Sequence, residues 1–122
     1  MKGKIDEETA FRDQGFAEQT GQMIRVTEAP ADNSLYVGQM VLINTDTDKE
    51  IAIIAQMAEV KGTHTGKIYF RGQMIKIHEG ASLEGGLDVK CQVIDSTDKV
   101  PGGVTGTYSA ESQIPSQIPA AP

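Results

Sequence analysis

Gly21-Gln22-Met23-Ile24-Arg25-Val26 returns 17 residues later as Gly38-Gln39-Met40-Val41-Leu42-Ile43, again as Ala55-Gln56-Met57-Ala58-Glu59-Val60, and again as Gly72-Gln73-Met74-Ile75-Lys76-Ile77. The chain has five methionines, and all but the initiator sit in this frame behind a glutamine. A fixed internal period defines the structural unit before any other feature can be read. It marks residues 21–100 as a tandem array of one β unit. In the fourth strand the pattern decays, with Cys91 standing 17 residues beyond Met74 where a methionine is expected.

Outward from that frame, the residues alternate as strands do. Over Leu35–Ile43, Leu35, Val37, Gln39, Val41 and Ile43 fall on one side and Tyr36, Met40 and Leu42 on the other. Apolar residues on both sides point to a strand covered on both faces. Asn44–Lys49, Lys61–Gly66 and the glycine-rich Glu79–Gly86 are turn chemistry between such strands. A unit of about eleven strand residues and about six turn residues admits two geometries. One is a compact antiparallel meander rolled into a barrel-like core, bent at the small residues Gly38, Ala55 and Gly72. The other is a β-solenoid, with each repeat one coil and identical residues stacked. Long uninterrupted strands favour the antiparallel meander, and the methionines then read as adaptable core filler.

The flanks differ from the array. Residues 1–20 are polar but carry Phe11 and Phe16, and read as an N-terminal arm. Residues 101–122 read as a Gly/Pro-rich C-terminal tail that repeats Ser-Gln-Ile-Pro at Ser112–Pro115 and Ser116–Pro119. Proline at this density favours an extended, polyproline-like chain. Phe11, Phe16, Ile114, Pro115, Ile118 and Pro119 are therefore the candidate partner-binding anchors.

The bulk properties narrow the function. A 122-residue chain with 39% hydrophobic residues, no Trp and few aromatics can build a modest aliphatic core. A net charge of -6 with no basic tract argues against nucleic acid and against an anionic membrane surface. No apolar run approaches the ~20 residues that span a bilayer, and the acidic N-terminus lacks a signal-peptide core. One cysteine cannot form an internal disulfide.

Catalytic and cofactor signatures are missing. His64, in a polar turn, and His78, at a strand end, read as solvated residues without ligand spacing. Asn44–Glu50 imitates the start of a calcium loop but has Lys49 and Ala55 where glycine and glutamate are required. Gly80–Gly86 does not lead into a phosphate-binding helix. Cys91 reads as a small core residue. No enzyme and no cofactor are expected.

The turn-linked strands Met40 to Ala58 and Gly66 to Ile77, flanked by arms 1–20 and 101–122, resemble the capsid decoration (cement) proteins of tailed bacteriophages. The resemblance implies an oligomeric, non-enzymatic virion protein. It would be made in the host cytoplasm and bind the outer capsid surface, clamping neighbouring major capsid subunits. Another structural phage component, such as a fibre, spike or tail protein, is the alternative. A less favoured one is an oligonucleotide-binding β-barrel with Tyr36, Tyr69 and Phe70 as stacking platforms.

Overall fold

The computed structural model describes residues 9–95 and 100–112, with side chains through 108. Its elements are a short helix α1 over residues 9–13 and the strands β1 (Ala17–Thr20), β2 (Met23–Val26), β3 (Ser34–Val37), β4 (Met40–Asn44), β5 (Ile51–Lys61), β6 (Thr63–His64), β7 (Ile68–Ile77), β8 (Ser82–Leu83), β9 (Leu87–Asp95) and β10 (Val104–Ser112). The only regular structure besides α1 among the described residues is β.

Every strand pairing is parallel, and the repeat sets the register. Ala17 pairs with Ser34, Ser34 with Ile51 and Ile51 with Ile68. Met23 pairs with Met40, Met40 with Met57 and Met57 with Met74. The chain is thus a β-solenoid in which each 17-residue repeat is one coil. This corrects the antiparallel meander and bears out the alternative. Parallel pairing needs a long return path between partners. Here the rest of each coil supplies it.

The long strands misled because they are not straight. In β5, Ile51, Ile53 and Ala55 point into the solenoid, and so do Ala58 and Val60, while Gln56 and Met57 both point out. The alternation breaks between Ala55 and Ala58, and there the strand turns a corner, the paired register skipping Gln56 and Gln73 and resuming at Met57 and Met74. Two sheet faces result: face A before the corner (β1, β3 and the first halves of β5, β7, β9, β10) and face B after it (β2, β4 and the second halves). A short third side carries Thr47, β6 and β8, with Thr47 bridged to His64 and His64 paired with Leu83. Gly72 shows why the corner needs small residues: a Cβ there would overlap the Ala55 carbonyl oxygen of the coil before.

Inside runs one continuous apolar column. Ile51, Ile53, Val60, Ile68, Phe70, Ile75, Ile77, Leu87, Val89 and Ile94 are each at most 1% exposed. Full burial of such a side chain stabilises by about 1.5–3 kcal/mol. Side chains tie coils at the turns as well: Asn33 Oδ1 accepts from the Glu50 N–H at 2.9 Å, and Asp46 Oδ1 accepts from the Thr63 N–H at 2.8 Å. The Asp46 turn that imitates a calcium loop is therefore a strut between successive coils.

Between β7 and β9 the register lengthens, Ile68 pairing with Leu87. The Glu79–Gly86 loop absorbs the two extra residues. Cys91 consequently aligns with Gly72 at the corner, and Val93, not Cys91, takes the methionine position opposite Met74. The boundaries drawn from composition also move: β1 lies within the presumed arm, and β10, a sixth coil begun on β9, lies within the presumed tail.

Candidate functional site

Face B sends its core residues inward at Ile24, Val26, Val41, Ile43, Ala58, Val60, Ile75, Ile77 and Ile94. The residues between them must point out. They form two columns in register. The first is Met23, Met40, Met57, Met74 and Val93; the second is Arg25, Leu42, Glu59, Lys76 and Asp95. The methionines, expected in the core, are on the outside. The core position belongs to the residue after each of them, and Met23 is 51% exposed. Met40, Met57 and Met74 are half-buried by the stack itself.

With coils about 4.8 Å apart, the result is an apolar stripe broadened by Leu42 and edged by charge. His78 Nε2 lies 2.7 Å from Glu59 Oε1 along that edge. A shallow groove of about 230 Å³ opens among Arg25, Leu42, Glu59 and Lys61. Exposed contiguous apolar surface on a small protein marks an interaction site, and methionine adapts its shape to what it meets.

The outer side of face A is apolar too, but it is covered. Leu35, Ala52 and Ile54 point out with Val37 and Tyr69, and α1 and Phe16 lie over them. Phe11 and Phe16 are 3% and 6% exposed, with ring centroids 5.3 Å apart; Tyr69 is 5.3 Å from Phe11 and 6.3 Å from Phe16. The Arg71 guanidinium lies 5.7 Å from the Phe11 ring. An Arg12–Glu18 ion pair at 2.8 Å fastens the helix. These two phenylalanines, expected to anchor on a neighbouring subunit, are instead buried on their own chain, because the outward residues of face A offer the nearest apolar surface. Ile114, Pro115, Ile118 and Pro119 lie outside the described residues.

The remaining chemistry is mostly structural. His64, expected in solvent, is fully buried, because the third side turns it inward between Thr47 and Leu83. Its Nε2 lies 2.8 Å from the Lys61 carbonyl and donates to it in the neutral ring. Nδ1 is buried without a hydrogen-bond partner among the described residues. Burial pushes the His64 pKa down from 6.5, opposed by the Lys61 carbonyl and by Asp46. Burial likewise raises the half-buried Cys91 thiol, the opposite of what a nucleophile needs. Tyr36 and Phe70 point into the core and Tyr69 lies under α1, so the expected base-stacking platform is not at the surface. Among the described residues no cluster of three or more His, Cys, Asp or Glu could hold a metal ion. No described helix is long and apolar enough to cross a membrane.

Comparison with protein-family models, with curated proteins and with solved structures returned no match to this chain. The reading of its function therefore rests on the methionine face and what surrounds it.

Proposed function

We propose that this chain is a non-enzymatic structural component of a bacteriophage virion, of the fibre, spike or tail kind, in which a rigid solenoid engages protein partners along face B. The observation that carries this reading is the in-register outer column Met23, Met40, Met57, Met74 on a body whose interior is already filled. Nothing inside the fold requires apolar residues there, and a docking surface does.

The form the resemblance first implied, a capsid-shell clamp with aromatic arms, has less support. Its N-terminal anchors, Phe11 and Phe16, are engaged within the chain. A stack of parallel coils is instead a stiff element that carries one flat surface along its length.

Immunogold labelling of purified virions with an antibody against the chain tests the assignment. Label on tails, spikes or fibres is the expected result. Label spread over the shell would restore the decoration role, and particles without label would overturn the virion reading.

A further inference from the structure

The two ends of the solenoid carry complementary halves of one hydrogen-bond pattern. On face A each coil donates to the next: the Ala17 N–H to the Asn33 carbonyl, that of Ile51 to Lys67 and that of Leu87 to Gly103. Val104 is next in that register, so its N–H points onward, where no described strand lies. The matching acceptor is the Phe16 carbonyl, one residue before Ala17, with no described coil before it. Past the corner the direction reverses. The Met40 N–H donates back to the Gln22 carbonyl and the Met57 N–H to that of Gln39. The Met23 N–H therefore points out of the first end, and the carbonyl of Ser109, 17 residues beyond Gln92, points out of the last.

Side chains match in the same register. Carried one coil further, the columns set Val104 on Ala17, Gly106 on Gln19 and Tyr108 on Gly21, a larger residue against a smaller one each time. The first end is hollow where a coil's core would lie: a cavity of about 440 Å³ opens among Gln19, Val26, Pro30, Ser34 and Tyr36. At the last end Tyr108 is 39% exposed. Gly21 adds an independent sign. A Cβ at Gly38 or Gly72 would overlap the carbonyl of Gly21 or Ala55 in the coil before, whereas a Cβ at Gly21 would meet only Ile24 Cγ1 at 3.7 Å, an ordinary contact. The close approach that calls for glycine at this corner requires a coil before the first, and the described residues hold none.

Neither edge is guarded. β10 is nine residues long without Pro, Lys or Arg, and α1 covers the outer side of face A and not an end. An edge of this kind is a template for strand pairing. Its only charge is Glu111, which enters at the register of Ile24, next to Arg25 on the rim of the hollow. A carboxylate at a core register works against the contact, so the association is expected to be concentration-dependent.

We propose that copies of this chain stack end to end, the free edge of β10 in one pairing in parallel with β1 and β2 of the next. The ladder then continues through the junction, and main-chain hydrogen bonds supply the affinity, as in strand addition. A head-to-tail contact whose rotation does not close builds a filament. The stacking rests on the fibre reading above for its biological setting, though not for its geometry.

The test uses the full chain with Cys91→Ser. Thr20 and Thr107 are exposed at opposite ends of one register column, Thr20, Val37, Ile54, Arg71, Lys90, Thr107. Five coil spacings of about 4.8 Å hold them about 24 Å apart within a chain, too far for a disulfide; stacked copies bring them to about 4.8 Å, within its range. Circular dichroism first establishes that each variant is folded. Mild oxidation of Thr20→Cys/Thr107→Cys should then give a ladder in steps of 13.1 kDa, and either single variant should stay monomeric. Adding Gly21→Val should leave the thermal transition unchanged and reduce the ladder several-fold. Dimers of Thr107→Cys alone would mean that two β10 edges meet antiparallel, and would overturn the head-to-tail order. No ladder from the folded double variant, or a ladder indifferent to Gly21→Val, would overturn the stacking. Those results leave the virion reading to the gold label, and unlabelled virions would leave the ladder standing.

Discussion

The outer side of face A and the outer side of face B belong to the same coils and were built by the same repeat, yet the chain treats them differently. Face A turns out Leu35, Ala52 and Ile54 and buries them under Phe11 and Phe16. Face B turns out Met23, Met40, Met57 and Met74, and no described residue covers them as α1 covers face A. Rigid aliphatic residues lie where the chain supplies its own lid, and flexible thioethers lie where it does not. The difference teaches that an apolar outer column is not by itself a docking site. It becomes one when the fold leaves it without a lid of its own.

The comparison breaks outright if the corner between the faces fails. Gly72→Val places a branched side chain against the Ala55 carbonyl and the Phe70 ring. Backbone cannot yield as a side-chain tip can, so a cost of at least about 3 kcal/mol is expected. The variant should lose its cooperative thermal transition by circular dichroism. A transition near that of the parent would mean that the corner is not a close backbone contact.

Next in size is the lid. Phe11→Ala removes a ring that is 3% exposed from between Phe16, Tyr69 and Arg71. A loss of about 3 kcal/mol is expected, as for other buried phenylalanines, read from the urea midpoint at constant slope. A loss below about 0.5 kcal/mol, the range of surface substitutions, would mean that face A is no better covered than face B.

A smaller, pH-dependent effect belongs to the third side. Above pH 6.5 His64 is neutral in both the folded and the unfolded chain and adds no pH dependence. As the pH falls below 6.5, the unfolded chain takes up a proton that the buried ring refuses. Stability should fall from there toward the lowered folded pKa, by at most about 1.4 kcal/mol per pH unit. Denaturant midpoints at pH 7.5 and 5.5 for the parent and for His64→Leu give the check, leucine being the residue of the next coil at Leu83. The parent should lose more than the variant, and equal losses would place the acid sensitivity elsewhere.

Much of this architecture is legible in the sequence, and what is not has identifiable causes. The period of 17, the strands, the turns and the bend at Gly38, Ala55 and Gly72 can all be read from the repeat. Parallel pairing cannot, because alternation along Leu35–Ile43 looks the same in a straight strand and in one that turns a corner. The available clue is a change of phase: Ile51 and Ile53 belong to one set, Ala58 and Val60 to the other. That change also moves the methionines from the inside to the outside. The burial of His64 is not legible because a polar turn implies solvent, whereas the coil folds its turn inward. The burial of Phe11 is not legible because composition shows an arm but not the surface it lies on.

The smallest effect is the most discriminating one. Met57→Gln keeps an unbranched side chain at the centre of face B while replacing the thioether with a polar end. The position is half-buried among its column neighbours and the substitution nearly conserves its length, so the cost should stay well below the ~3 kcal/mol of a fully buried phenylalanine. The neighbouring glutamine column shows that the repeat tolerates amides beside it, with Gln39, Gln56 and Gln73 all exposed. Urea midpoints at low micromolar concentration would measure it alongside Phe11→Ala. If Met57→Gln costs as much as the lid phenylalanine, the methionines hold the fold together after all, and their exposure needs no partner to explain it. If it costs almost nothing while Phe11→Ala costs several times more, the two outer faces do different work. Face A then stabilises the monomer, and face B is left free for what it meets.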